Sequence, residues 1–93
     1  MVKPITKIRV AQTQPTVFVV DDDSNVRNVI IETLEINGRS VVGYASCEAF
    51  MDAYHRGGEA CLVVDAYLPG GMDGISLLDW LSTRAENLPV VVI

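Results

Sequence analysis

Residues 16–23 read Thr16-Val17-Phe18-Val19-Val20-Asp21-Asp22-Asp23, five β-branched or aromatic residues running straight into three carboxylates. An unbroken apolar run of this length, with no polar alternation, suits a strand buried on both faces, as in a parallel sheet. The same figure recurs at Cys61-Leu62-Val63-Val64-Asp65. Two further stretches, Ser40-Val41-Val42-Gly43-Tyr44-Ala45 and Val90-Val91-Val92-Ile93, complete a set of four strands.

The connections between these strands carry helical spacing. Val26, Val29, Ile30, Thr33 and Leu34 fall at steps of three and four, with Asp23 or Ser24 placed to cap the start and Gly38 to end it. Ser46 opens a second helix to about Arg56, with Ala49, Phe50 and Ala53 on one side and Gly57-Gly58 as its break. The loop from Ala66 to Asp73 holds Pro69, Gly70 and Gly71. Asp73 caps a third helix, Gly74 to about Glu86, with Ile75, Leu78 and Leu81 as its inner stripe. The order βαβαβαβ with short loops predicts an α/β fold, a doubly wound parallel sheet with helices on both faces. Residues 1–15 read as a polar, mildly basic tail or linker closed by Pro15, and residues 16–93 as the folded domain.

Composition narrows the function. Of 7 basic and 12 acidic residues, Lys3, Lys7 and Arg9 fall in the first 15 positions, where no acid lies; the rest carries 4 basic and 12 acidic residues, a net of −8. Such a surface disfavours direct nucleic-acid binding by the folded part and suits a site that holds a cation. No apolar run reaches the roughly 18 residues of a membrane span. The first 15 residues lack the apolar core of a secretory signal, so the expected location is cytoplasmic. There Cys47 and Cys61, which fit no metal-ligand spacing, stay reduced as small packing residues.

The chemistry lies in the strand-end acids. In an open parallel sheet, sites form at the carboxyl ends of strands where the winding reverses. If the first and third strands are neighbours, Asp21, Asp22 and Asp65 meet at one edge. Two unit charges about 4 Å apart repel by roughly 4 kcal/mol at an effective dielectric near 20. A domain with about 5–15 kcal/mol of stability bears that load better with a hard divalent cation present. Carboxylate oxygens plus waters form the coordination that Mg2+ prefers. One carboxylate is then placed to attack phosphorus, a known form of covalent catalysis.

Val19-Val20-Asp21-Asp22-Asp23, Leu62-Val63-Val64-Asp65, and the later Pro69 and Gly74 together resemble the receiver domain of two-component response regulators. The resemblance covers about residues 16–93. It implies a flavodoxin-like fold of five βα units, (βα)5, incomplete here, and a phosphoryl group taken from the phosphohistidine of a sensor histidine kinase or phosphotransfer protein. By the same resemblance Asp65 is the phospho-acceptor and a metal ligand, Asp22 the direct magnesium ligand, and Asp21 the second acid of the pair, reaching the metal through water. The backbone carbonyl of Tyr67 is the third protein ligand, and the Tyr67 side chain controls access of hydrolytic water. The product is a signalling state rather than turnover, so no enzyme activity beyond self-phosphorylation is expected.

The chain departs from the family pattern in two places. The Pro69-to-Gly74 loop has one residue more than the commoner family form. The chain also stops in the fourth strand, before the family's Ser or Thr, its Lys and its usual output face. It therefore reads as a C-terminally truncated piece that self-associates through an apolar edge. Three other readings compete. Asp21-x-Asp23-x-Asn25 with Glu32 overlays a calcium loop, but Val26 stands where that loop needs glycine. A haloacid-dehalogenase-like phosphotransferase also uses a strand-end aspartate but leaves Asp65 and the proline loop unexplained. A receiver-like module that signals by binding alone, without phosphate, is the third.

Overall fold

A computed structural model describes residues 15–55, 58–84 and 87–93. The expected tail, residues 1–14 of it, lies outside the described residues. The elements alternate along the chain: β1 (Thr16–Val20), α1 (Ser24–Ile36), β2 (Ser40–Tyr44), α2 (Cys47–Ala53), β3 (Ala60–Val64), α3 (Gly74–Thr83) and β4 (Val90–Val92). All pairings are parallel and the strand order is β2-β1-β3-β4. That order is the opening of the flavodoxin-like arrangement, and the expected doubly wound α/β fold is what forms.

Side chains alternate across β1. Val17 and Val19, 4% and 0% exposed, face α1, while Phe18 and Val20 face α2 and α3. On the second face Val20, Leu62 and Val64 pack with Cys47 and Phe50 of α2 and with Leu77 and Leu81 of α3. Phe18, Tyr44, Phe50 and Tyr54 extend this core as a ring cluster with centroids 5.1–6.3 Å apart. Burial of these side chains stabilises the domain by roughly 1.5–3 kcal/mol each before conformational entropy is counted.

The helices start where expected. Asp23, Ser46 and Asp73 are the three N-caps, each accepting main-chain N–H bonds from the first turn. Their packed faces differ from the expected stripes. In α1 the half-buried side is Arg27, Ile30, Ile31 and Leu34, while Val26 and Val29 are 43% and 63% exposed and Thr33 is exposed. The aliphatic stem of Arg27 fills a place that an apolar residue would take, which turns the helix by one position. In α2 Ala49 and Ala53 are exposed, and Cys47 and Phe50 are buried. This helix ends at Ala53, short of Arg56, because Tyr54 turns to extended backbone and stacks on Phe50. In α3 the buried residues are Gly74, Leu77 and Leu81; Ile75 is 58% exposed. It ends at Thr83, and Arg84 lies over the Trp80 ring at 4.5 Å.

Cys47 and Cys61 are free thiols. Burial, with the nearby Glu48 and Asp73 charges, pushes the Cys47 thiol up to about 11, so it stays protonated packing. Among the described residues no helix is long and apolar enough to cross a membrane.

Candidate functional site

β1 lies between β2 and β3, so the winding reverses beside it and its carboxyl end faces the crevice. The ladder continues one residue past each strand. The Asp21 N–H donates to the Tyr44 carbonyl at 3.1 Å, and the Asp65 N–H donates to the Val20 carbonyl at 3.1 Å. Both aspartates are therefore held by sheet geometry rather than by loops. The register, which sets Val20 against Val64, brings their side chains to the same end.

Carboxylate oxygens of Asp21, Asp22 and Asp65 lie within 4.8 Å of one another. Asp21 is 2% exposed, Asp65 half-buried and Asp22 exposed. Asp21 Oδ1 accepts the Asp23 N–H at 3.0 Å, and Asp65 Oδ1 accepts the Tyr67 N–H at 3.0 Å. Among the described residues no hydrogen bond reaches Asp65 Oδ2, which leaves that oxygen available as a nucleophile. The donor set fits magnesium. Carboxylate oxygens within 4.8 Å of one another can share one ion, and three carboxylates in an open cleft with room for water are the hard oxygen ligands that Mg2+ takes.

The acids floor an open cleft of about 430 Å3. Tyr67, Pro69, Val26 and Ile93 supply its less polar walls, and Asp23 stands at its margin. Tyr67 is 74% exposed. Nothing in the sequence marks Val26 or Ile93 as a cleft residue, since each scans as an ordinary apolar residue of its element. Asp23 serves as the α1 cap, with its Oδ1 accepting from Asn25 N at 2.9 Å and Val26 N at 3.3 Å. The calcium-loop reading fails on this point: α1 begins at Ser24, so Asn25 through Glu32 are helical.

Two residues outside the acid cluster shape it. Arg27 Nη1 donates to the Asp21 carbonyl at 2.6 Å. Glu48, at the start of α2, accepts the Met72 N–H at 2.8 Å and so ties down the loop that carries the extra residue. That bond holds the Glu48 carboxyl below its ordinary range, aided by its own main-chain N–H. The partners are 24 residues apart, and nothing local in the sequence announces the contact.

Comparisons with known proteins point one way. The family model described as the response regulator receiver domain matches residues 17–93. The transcriptional regulatory protein FixJ of Azorhizobium caulinodans is 37% identical over 76 residues, 82% of this chain and 36% of that protein. The solved structure of response regulator StyR superposes with a TM-score of 0.81 at 35% identity, over 86% of this chain and 40% of the other. That of FixJ-N superposes at 0.73 and 32% identity, over 87% and 64%. The chain spans well under half the length of the curated relatives it matches, from 16% to 39%.

Proposed function

The chain belongs to the response regulator receiver domain family of two-component signalling, and from that membership we propose that Asp65 takes a phosphoryl group from a phosphohistidine on a sensor histidine kinase or phosphotransfer protein. The observation that carries this reading is the meeting of Asp21, Asp22 and Asp65 within 4.8 Å at the ends of two adjacent strands. Asp21, Asp22 and Asp65 would hold magnesium there, with the Tyr67 carbonyl as a further ligand implied by the family. When bound, magnesium neutralises charge on the oxygens of the transferred group. An Asp65 oxygen forms a bond to phosphorus as the P–N bond to the donor imidazole breaks, and the nitrogen keeps the electron pair. The Tyr67 N–H fixes the direction of the attacking carboxylate.

The modified Asp65 biases an equilibrium between conformers, so the product is a signal rather than turnover. FixJ is a transcriptional regulatory protein; a transcriptional output in a cytoplasmic parent protein is part of the proposal, with the DNA contact made outside this domain. The test is incubation with phosphoramidate and Mg2+, followed by intact mass. One added phosphoryl group, lost in Asp65→Asn and on chelation, supports the reading. An adduct that survives Asp65→Asn overturns it, and no adduct on the complete parent protein favours a module that signals by binding alone. Repeated turnover of a generic phosphate ester would favour the dehalogenase-like reading instead.

A further inference from the structure

Arg27 lies in the first turn of α1, on the side facing the sheet, and is half-buried. Its stem runs across Gly43 of β2, where an added β-carbon would lie 3.3 Å from Cδ and 3.4 Å from Cγ. The same β-carbon would lie 2.6 Å from Ile31 Cδ1, so the bare Gly43 backbone accommodates Ile31 first and the Arg27 stem beside it. The guanidinium then reaches back six residues, and Nη1 donates to the Asp21 carbonyl at 2.6 Å. A hydrogen bond from a charged donor is the stronger kind.

The choice of acceptor matters. Three carboxylates lie close by, yet this bond goes to a main-chain oxygen. The carbonyl belongs to the peptide plane that joins Asp21 to Asp22. Fixing that plane fixes the direction in which Asp22 leaves the strand. It also steadies the turn whose next N–H, at Asp23, bonds Asp21 Oδ1. Arg27 thus sets the bearing of both acids through the main chain, and this bond occupies no carboxylate oxygen. A lysine offers a point charge without the planar fork and holds the carbonyl less firmly.

We infer that Arg27 is a positioning residue for magnesium: its bond to the Asp21 carbonyl pre-orients the Asp21–Asp22 pair to receive the ion. This rests on the reading of Asp21, Asp22 and Asp65 as a magnesium site. Groups that orient metal ligands from outside the coordination sphere typically change affinity by about 10–100-fold. The test is a Mg2+ titration of the unaltered chain, Arg27→Lys and Arg27→Met, followed by the amide resonances of Asp22 and Asp23. Affinity should fall in that order, by roughly tenfold or more for Arg27→Met. In metal-free protein, hydrogen exchange at the Asp23 amide should quicken in the same order. Leu81→Val, which loosens the core away from the cleft, should leave the magnesium midpoint unchanged. Equal midpoints in the unaltered chain and Arg27→Lys, with Arg27→Met either equal or unfolded, would overturn the assignment and leave the magnesium site standing. An unaltered chain that takes no magnesium would bring both readings down.

Discussion

A β-carbon on Gly74 would lie 2.5 Å from the carbonyl oxygen of Asp65 and 3.2 Å from the α-carbon of Ala66. The start of α3 therefore rests directly on the backbone of Asp65, the proposed acceptor, and the contact is to main chain, which cannot swing aside. Gly74→Ala should lower stability by about 1–3 kcal/mol, as for overpacking elsewhere. It should also slow phosphorylation of Asp65, because α3 can retreat only by dragging the Ala66 peptide with it; the Gly74 N–H donates to the Ala66 carbonyl at 3.4 Å. Urea unfolding and the rate of adduct formation measure the two effects. Unchanged stability would show that the loop yields without cost.

Neutralising one acid should help the metal-free protein and harm the metal-bound one. Asp21 and Asp65 cannot move apart, since the sheet holds their main chains. Asp22 is exposed, so part of its repulsion is already screened. Asp22→Asn should raise the Tm without metal by roughly 2–5 °C, in line with about 1 kcal/mol or less in a domain of this size. The rise in Tm that Mg2+ gives the unaltered protein should disappear in the variant. Thermal melts with and without Mg2+ decide it, and a metal-free Tm that falls would mean that Asp22 stabilises the loop more than it repels its neighbours.

How much of this was legible in the sequence depends on whether the cause is local. The two strand-to-aspartate runs place Asp21 and Asp65 at strand ends, and alternation with helices makes the strands parallel; that β1 and β3 are neighbours comes from the strand order, which the sequence left open. Caps at Asp23, Ser46 and Asp73 are likewise local, as each binds the N–H groups of its own first turn. The phase of α1 was not legible. Ile30 and Leu34 sit in both candidate stripes, and Ile31 and Arg27 pack over Gly43, whose missing side chain is a fact of β2 rather than of α1. The Glu48–Met72 tie was invisible for the same reason, since it joins two turns that meet only after α2 and α3 have packed on one face.

That tie predicts a pH dependence. The Glu48 carboxyl is held below its ordinary value chiefly by the Met72 N–H. A depressed carboxyl contributes stability that is full above its unfolded value of about 4.3 and is lost as pH falls through the lower folded value. Asp73 acts in the same direction, through the Ser76 N–H and then the Ser76 hydroxyl. Glu48→Gln resembles the protonated side chain. It should therefore be less stable than the unaltered protein at pH 7 and equal to it near pH 3. Denaturation at both values checks this, and an equal gap at the two would remove Glu48 from the acid response.

The outer edge of β4 should govern association. Among the described residues β4 pairs only with β3, and Val91, Val92 and Ile93 are 55%, 39% and 53% exposed. An exposed apolar edge invites strand pairing, and a lysine on such an edge blocks it. The chain should sediment with a concentration-dependent mass that Val91→Lys reduces, at little cost in stability. A monomer at every concentration tested would show that this edge is inert.

Tyr67 should set how long the phosphoryl group lasts. Its N–H is bonded to Asp65 Oδ1, so its α-carbon is anchored beside the acceptor. Its ring, 74% exposed, forms part of the cleft wall through which water reaches Asp65. A ring anchored in this way cannot drift from the opening, though its exposure means it shields the site only partly. Tyr67→Ala keeps the N–H and removes the ring, so adduct formation should proceed while hydrolysis quickens by a few-fold. The loss of the phosphoryl mass with time, in excess Mg2+ and after removal of the phosphodonor, measures it. The same decay in both proteins would mean that water enters by another side of the cleft, along Val26 and Ile93, and that the Tyr67 ring has no part in the lifetime.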